Sequence, residues 1–108
     1  MGIPHKELEK DIQFACCEYL TLKRYFFWRQ NTTPVFRQDR NRFIAMPKFS
    51  MRGVPDIIVI LNGKFIGIEV KTQKGVQSDN QKEFQRCLEL AGGEYYIVKS
   101  VSELQEIL

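Results

Sequence analysis

Two apolar, β-rich runs, Asp56-Ile-Ile-Val-Ile-Leu61 and Lys64-Phe-Ile-Gly-Ile-Glu-Val-Lys71, flank the dipeptide Asn62-Gly63. Asn-Gly in that setting is the strongest short-range hairpin signal, because both residues accept the positive φ angles that a tight type I′ turn demands. A two-residue turn fixes the register. Leu61 then faces Lys64, and counting outward puts Asp56 opposite Glu69. Directly opposed residues have Cβ atoms roughly 4.5–5.5 Å apart, and like charges there repel. Lys71 falls on the same face by strand alternation, whereas Ile57, Val59, Ile66 and Ile68 line the other. Two acids and a lysine thus converge where a buried sheet otherwise takes aliphatic residues.

Such a cluster suits metal-assisted hydrolysis. Mg²⁺ or Mn²⁺ takes oxygen ligands in a near-octahedral array, usually one or two carboxylates plus substrate phosphate oxygens and waters. Asp56 and Glu69 are candidate ligands, and the backbone carbonyl of Val70 offers a third. Lys71 can activate the attacking water or neutralise charge on the phosphate in the transition state. The structural alternative is a Pro-Asp turn with a surface Glu/Lys pair, and a β-bulge would throw Glu69 to the other face.

Gly53-Val54-Pro55-Asp56 with Glu69-Val70-Lys71 resembles the signature of PD-(D/E)XK nucleases, and specifically of the VRR-NUC family. The likeness extends over nearly the whole chain: Glu9-Lys-Asp-Ile-Gln13 on a first helix, Trp28-Arg29-Gln30-Asn31 at a first strand, the acidic hairpin, and Gln81 opening the next helix. The resemblance implies a restriction-endonuclease-like α/β core, with a mixed central sheet flanked by helices in αβββαβ order. It implies metal ligation by Asp56 and Glu69, catalysis by Lys71, and supporting roles for Glu9 and Gln81. Stand-alone members of the family can work as homodimers on Holliday junctions. The basic loop between Gln30 and Gly53 has no residue-level pattern to transfer.

The charge distribution points the same way. Over residues 23–52, Lys23, Arg24, Arg29, Arg37, Arg40, Arg42, Lys48 and Arg52 face the single acid Asp39, and the rest of the chain is net acidic. Clustered arginine is the footprint of a polyanion partner and binds phosphate bidentately. Arg29, Arg37, Arg40, Arg42, Lys48, Arg52 and Lys74 are the candidate DNA contacts. Phe36, Phe43 and Phe49, interleaved with them, are assigned to the core on general burial preferences.

At 108 residues the chain is expected to be one nuclease-like domain, 1–108, and 44% hydrophobic content argues for a folded globule. No stretch approaches the ~18 apolar residues of a membrane helix. The charged start lacks a signal-peptide apolar core, so the expected location is cytoplasmic. Cys16, Cys17 and Cys87 include no CxxC pair, and His5 is the lone histidine; buried thiols are expected rather than a zinc site.

Helical spacing of Leu8, Ile12, Ala15, Cys16, Tyr19 and Leu20 predicts a helix from about Lys6 to Leu22, with Glu9 at the edge of its buried stripe. As a bare sequence, Glu9 reads better as a solvated acid favoured by the helix dipole, and only the family resemblance moves it to the outer edge of the metal site. Tyr25–Arg29 reads as a strand. Val35–Arg37 and Arg42–Met46 read as short edge strands around a basic turn. Ser78-Asp-Asn-Gln81 is a capping box, which alone accounts for Gln81. Phe84, Cys87, Leu88 and Ala91 form that helix's apolar face before Gly92-Gly93 ends it. Tyr95–Val98 is a last strand, joined by a right-handed crossover, and Val101–Leu108 a closing helix begun by Ser102.

The expected function is a metal-dependent, structure-selective DNA endonuclease acting on branched DNA as a Holliday-junction-resolving homodimer. A domain this small has no room to read a long sequence, and a broad arginine surface recognises phosphate geometry instead. No nucleotide cofactor or membrane partner is expected. The alternatives are a monomeric flap or nicking nuclease, a noncatalytic nucleic-acid-binding module, and an RNA-processing enzyme. Intact Asp56, Glu69 and Lys71 argue against the binding module, which has no use for carboxylates facing phosphate without a metal.

Overall fold

In the computed structural model the Asn62-Gly63 turn closes the hairpin in the expected register. Asn62 has φ 54° and Gly63 φ 80°, and the ladder runs from Leu61↔Lys64 to Ile57↔Ile68 without a bulge. The structure describes residues 8–30, 36–37, 42–43 and 48–108. Among them the order is α1 (Glu9–Leu22), β1 (Phe26–Arg29), β2 (Phe36–Arg37), β3 (Arg42–Phe43), β4 (Ile57–Leu61), β5 (Lys64–Val70), α2 (Asp79–Leu90), β6 (Glu94–Val98) and α3 (Val101–Ile107).

The main sheet has the order β1-β4-β5-β6. β1 and β5 each run antiparallel to β4, whereas β6 lies parallel to β5. That mixed pattern follows from chain lengths. Two residues suffice for a hairpin, but a parallel return requires a crossover, which α2 supplies. β2 and β3, expected as short edge strands around the basic turn, pair with each other, Phe36↔Phe43 and Arg37↔Arg42, as a two-stranded sheet separate from the main one. Val35, the turn 38–41 and residues 44–46 lie outside the described residues.

Alternation along the strands sorts the two faces. Ile57, Val59, Ile66, Ile68, Val70 and Val98 pack with Ile12, Cys16 and Leu20 of α1 and with Leu104 of α3 in one buried core. Full burial of each such aliphatic side chain is worth about 1.5–3 kcal/mol. The opposite face carries Ile58, Gly67, Glu69 and Tyr95, all buried, with Phe84 the buried residue of α2. Among the described residues no helix is long and apolar enough to cross a membrane.

Several expectations are corrected. α1 begins at Glu9, with Leu8 as an exposed N-cap rather than part of the buried stripe. Cys87 is exposed, so only Cys16 matches the expected fully buried thiol. Ala91 is likewise exposed. α3 is capped by Ser100, not begun by Ser102, because the Ser100 hydroxyl accepts the Glu103 N–H at 3.2 Å. Phe49, assigned to the core, is 91% exposed.

Candidate active site at the end of the acidic hairpin

Asp56 stands one residue before β4, and two close contacts in the preceding loop hold it there. Gly53 has φ 74°, and a Cβ built on it would lie 2.3 Å from the Asn80 carbonyl oxygen. Only glycine lets this backbone approach the start of α2 so closely. Pro55 is buried, and a Cβ on Gly67 would lie 2.6 Å from its Cγ. A glycine inside β5 therefore makes the notch that Pro55 fills. The signal available in the sequence was Gly67 itself, since glycine within a strand often marks close backbone approach.

Backbone hydrogen bonds fix Asp56 further. Its carbonyl accepts the Gln30 N–H at 2.7 Å, and its carboxylate accepts the Val70 N–H at 2.8 Å. The Val70 amide thus comes from the residue between Glu69 and Lys71. Gln30 is a site neighbour that spacing arguments did not single out, extending the β1–β4 ladder by one row.

Glu69 is 2% exposed. Its Oε1 accepts a hydrogen bond from Gln81 Nε2 at 2.6 Å, while its Oε2 is buried without a partner among the described residues. The Gln81 carbonyl oxygen accepts the Ser78 N–H at 2.9 Å, and the Gln81 N–H donates to the Ser78 hydroxyl at 3.2 Å. Capping and site contact, which the sequence left as alternatives, are made by opposite ends of one amide.

The electrostatics express the crowding. Burial, then the neighbouring Asp56 carboxylate, push Glu69 up to about 8, with Lys71 pulling the other way. Asp56 is also raised, chiefly by burial, against the lowering effect of the Val70 N–H. The two carboxyls stand close enough for each to act on the other's ionisation, and two carboxylate acceptors come together stably only with a proton or a cation between them. Tyr95 lies under α2 on the same sheet face, its phenol pushed up to about 12, first by burial.

The other expected residues divide. Lys71 extends past β5, its N–H donating to the Val98 carbonyl at 3.0 Å, and its charge acts on both acids. Glu9 is exposed on α1; it reaches Glu69 only as a charge. Arg29 donates to Gln13 Oε1 at 2.9 Å, which ties it to α1, and acts on Asp56 by charge. Lys48, Arg52 and Lys74 are exposed, with the Lys48 ammonium 5.2 Å from the Phe49 ring centroid. Arg37 and Arg42 belong to β2 and β3, and Arg40 lies outside the described residues.

The donor set fits a hard divalent cation. Among the described residues no three His, Cys, Asp or Glu side chains cluster as a ready-made cage. Mg²⁺, however, commonly takes only one or two carboxylates and completes its shell with water and phosphate. An unpartnered carboxylate oxygen beside a second carboxyl meets that requirement. No known protein-family profile matches the chain, and no curated protein sequence matches it.

Proposed function

We propose that this chain is a metal-dependent nuclease with a restriction-endonuclease-like core, of the PD-(D/E)XK class and VRR-NUC type. It hydrolyses phosphodiester bonds in branched DNA, working as a homodimer on four-way junctions. The observation that carries the reading is the pairing of Asp56 with a buried Glu69 whose Oε2 has no donor among the described residues. Burying a carboxylate without compensation is costly, and a bound cation is the partner that turns this cost into a site.

In this reading Asp56, Glu69 and the Val70 carbonyl would hold Mg²⁺ or Mn²⁺, which when bound would supply Lewis acidity. The chain's own groups do the rest. The Val70 N–H fixes the Asp56 carboxylate. Gln81 fixes Glu69 Oε1, and Oε2 has no donor among the described residues. Lys71, on the same face, offsets the negative charge that develops on the phosphate and orients the attacking water. Glu9 adds negative potential at the outer edge.

The test is incubation with end-labelled duplex, single strand, flap and four-way junction in Mg²⁺, Mn²⁺ or EDTA. Paired symmetric cuts in the junction, lost in EDTA and in Asp56→Asn, are the expected result. Flap cleavage by a monomer would revise the target. No cleavage of any nucleic acid with either metal would overturn the reading.

A further inference from the structure

The sheet face that bears the acid pair also carries an aromatic pair beside it. Phe26 and Trp28 alternate on β1, an edge strand of the main sheet, and are 68% and 40% exposed. Their ring centroids are 6.2 Å apart with planes tilted by 58°. The Trp28 indole N–H donates to Gln30 Oε1 at 2.9 Å. That bond satisfies the polar edge of the indole, so what it offers to a ligand is its π surface. Trp28 pairs with Ile58, and Gln30 pairs with Asp56 through the backbone. Trp28 thus lies one strand repeat, about 7 Å, from the row of Asp56 and Glu69, and Phe26 one repeat further along β1. α2 packs over the same face at the opposite edge of the sheet, against β6.

The surroundings select the occupant. Arg24, Lys48 and Arg52, all exposed, belong to the same basic stretch of sequence as the two rings, whereas Arg29 is turned to α1 on the other face. An apolar protein surface gains nothing from such a cationic stretch. A strand of nucleic acid with unpaired bases matches both features, phosphates on the cations and base faces on the rings. In a duplex those base faces are already stacked on one another.

We propose that Phe26 and Trp28 form a stacking platform for an unpaired nucleobase, holding a single-stranded segment beside the acid pair. The placement of that segment next to a scissile phosphate rests on the nuclease reading; the stacking itself does not. Flaps and frayed ends present such bases.

Trp28 is the only tryptophan in the chain, so its fluorescence reports on the platform directly. The whole chain is titrated in EDTA, where no strand is cut, with an oligothymidylate and with an abasic strand of equal length and charge. Both strands should bind by anisotropy, but only the oligothymidylate should quench Trp28. Trp28→Ala should weaken oligothymidylate binding about tenfold and leave the abasic strand unaffected, while Trp28→Phe restores most of the loss. Equal quenching by the abasic strand, or equal oligothymidylate affinity in Trp28→Ala, overturns the platform. Because quenching is read on the unsubstituted chain, the result does not depend on how the variants fold. Cleavage in Mg²⁺ without base-dependent quenching would sink the platform and spare the nuclease reading; base-dependent quenching without cleavage in any metal would do the reverse.

Discussion

At the scale of single residues, Glu69 is where fold and function pull against each other. Its carboxyl is raised to about 8 in the folded protein, first by burial and then by Asp56, from an ordinary value near 4.5 in the unfolded chain. The folded state therefore binds the proton more tightly. Its contribution to stability is greatest at low pH and is lost as pH rises from about 4.5 to about 8, the opposite of the usual paired carboxylate. The metal-free protein should thus lose up to a few kcal/mol across that window from this group. Glu69→Gln should flatten the dependence, measured by urea unfolding at pH 5.5 and 8.5. Asp56→Asn and Glu69→Gln should each abolish cleavage while keeping or slightly raising the metal-free melting temperature, and Mg²⁺ or Mn²⁺ should stabilise only the unsubstituted protein. A variant that cleaves normally would remove its residue from the site. Lys71→Ala should lose most activity yet keep its DNA affinity, because one cation among many adds little to phosphate attraction but much at the reacting centre. Parallel losses in binding and rate would make Lys71 a docking residue only.

At the scale of elements, the hairpin shows what a sequence can disclose about a site. Asn62-Gly63 and two β-branched runs sufficed to set the register, and the register alone brought Asp56 to Glu69. Ser78 and Gln81 disclosed the cap of α2 for the same reason: the interaction spans three residues and its chemistry is local. The contacts that aim Asp56 were not legible, since Gly53 against Asn80 and Pro55 against Gly67 join residues distant in sequence. Ser100 was legible in principle, as Ser-x-x-Glu103 is a capping pattern, but Ser102 offered a competing start one step into the helix. Phe49 defeated a burial preference that holds for phenylalanine in general and says nothing of one exposed turn. Gly67→Ala follows from the Pro55 notch. The added methyl must displace Pro55, and with it Asp56, so activity and metal-dependent stabilisation should fall well before the fold does. Circular dichroism beside a cleavage assay checks this, and unchanged cleavage would show that Pro55 moves freely.

At the scale of the whole molecule, the proposed nuclease reading assigns chemistry to the acid pair and docking to the basic segment. Replacing Arg37, Arg40 and Arg42 together by Ala should lower the slope of log affinity against log salt by about 0.9 per lost phosphate contact on duplex arms. Cleavage at saturating DNA should largely survive; an unchanged slope would mean these arginines face elsewhere. The central claim, that Asp56 and Glu69 form a divalent-cation site, is tested most directly by calorimetric Mn²⁺ titration at pH 7 in buffers of different ionisation enthalpy. Because burial and the Asp56 carboxylate raise the Glu69 carboxyl in the metal-free protein, binding should release protons into the buffer, and both binding and release should vanish in Glu69→Gln. Mn²⁺ binding of equal strength in Glu69→Gln, or none in the unsubstituted protein, would contradict the account.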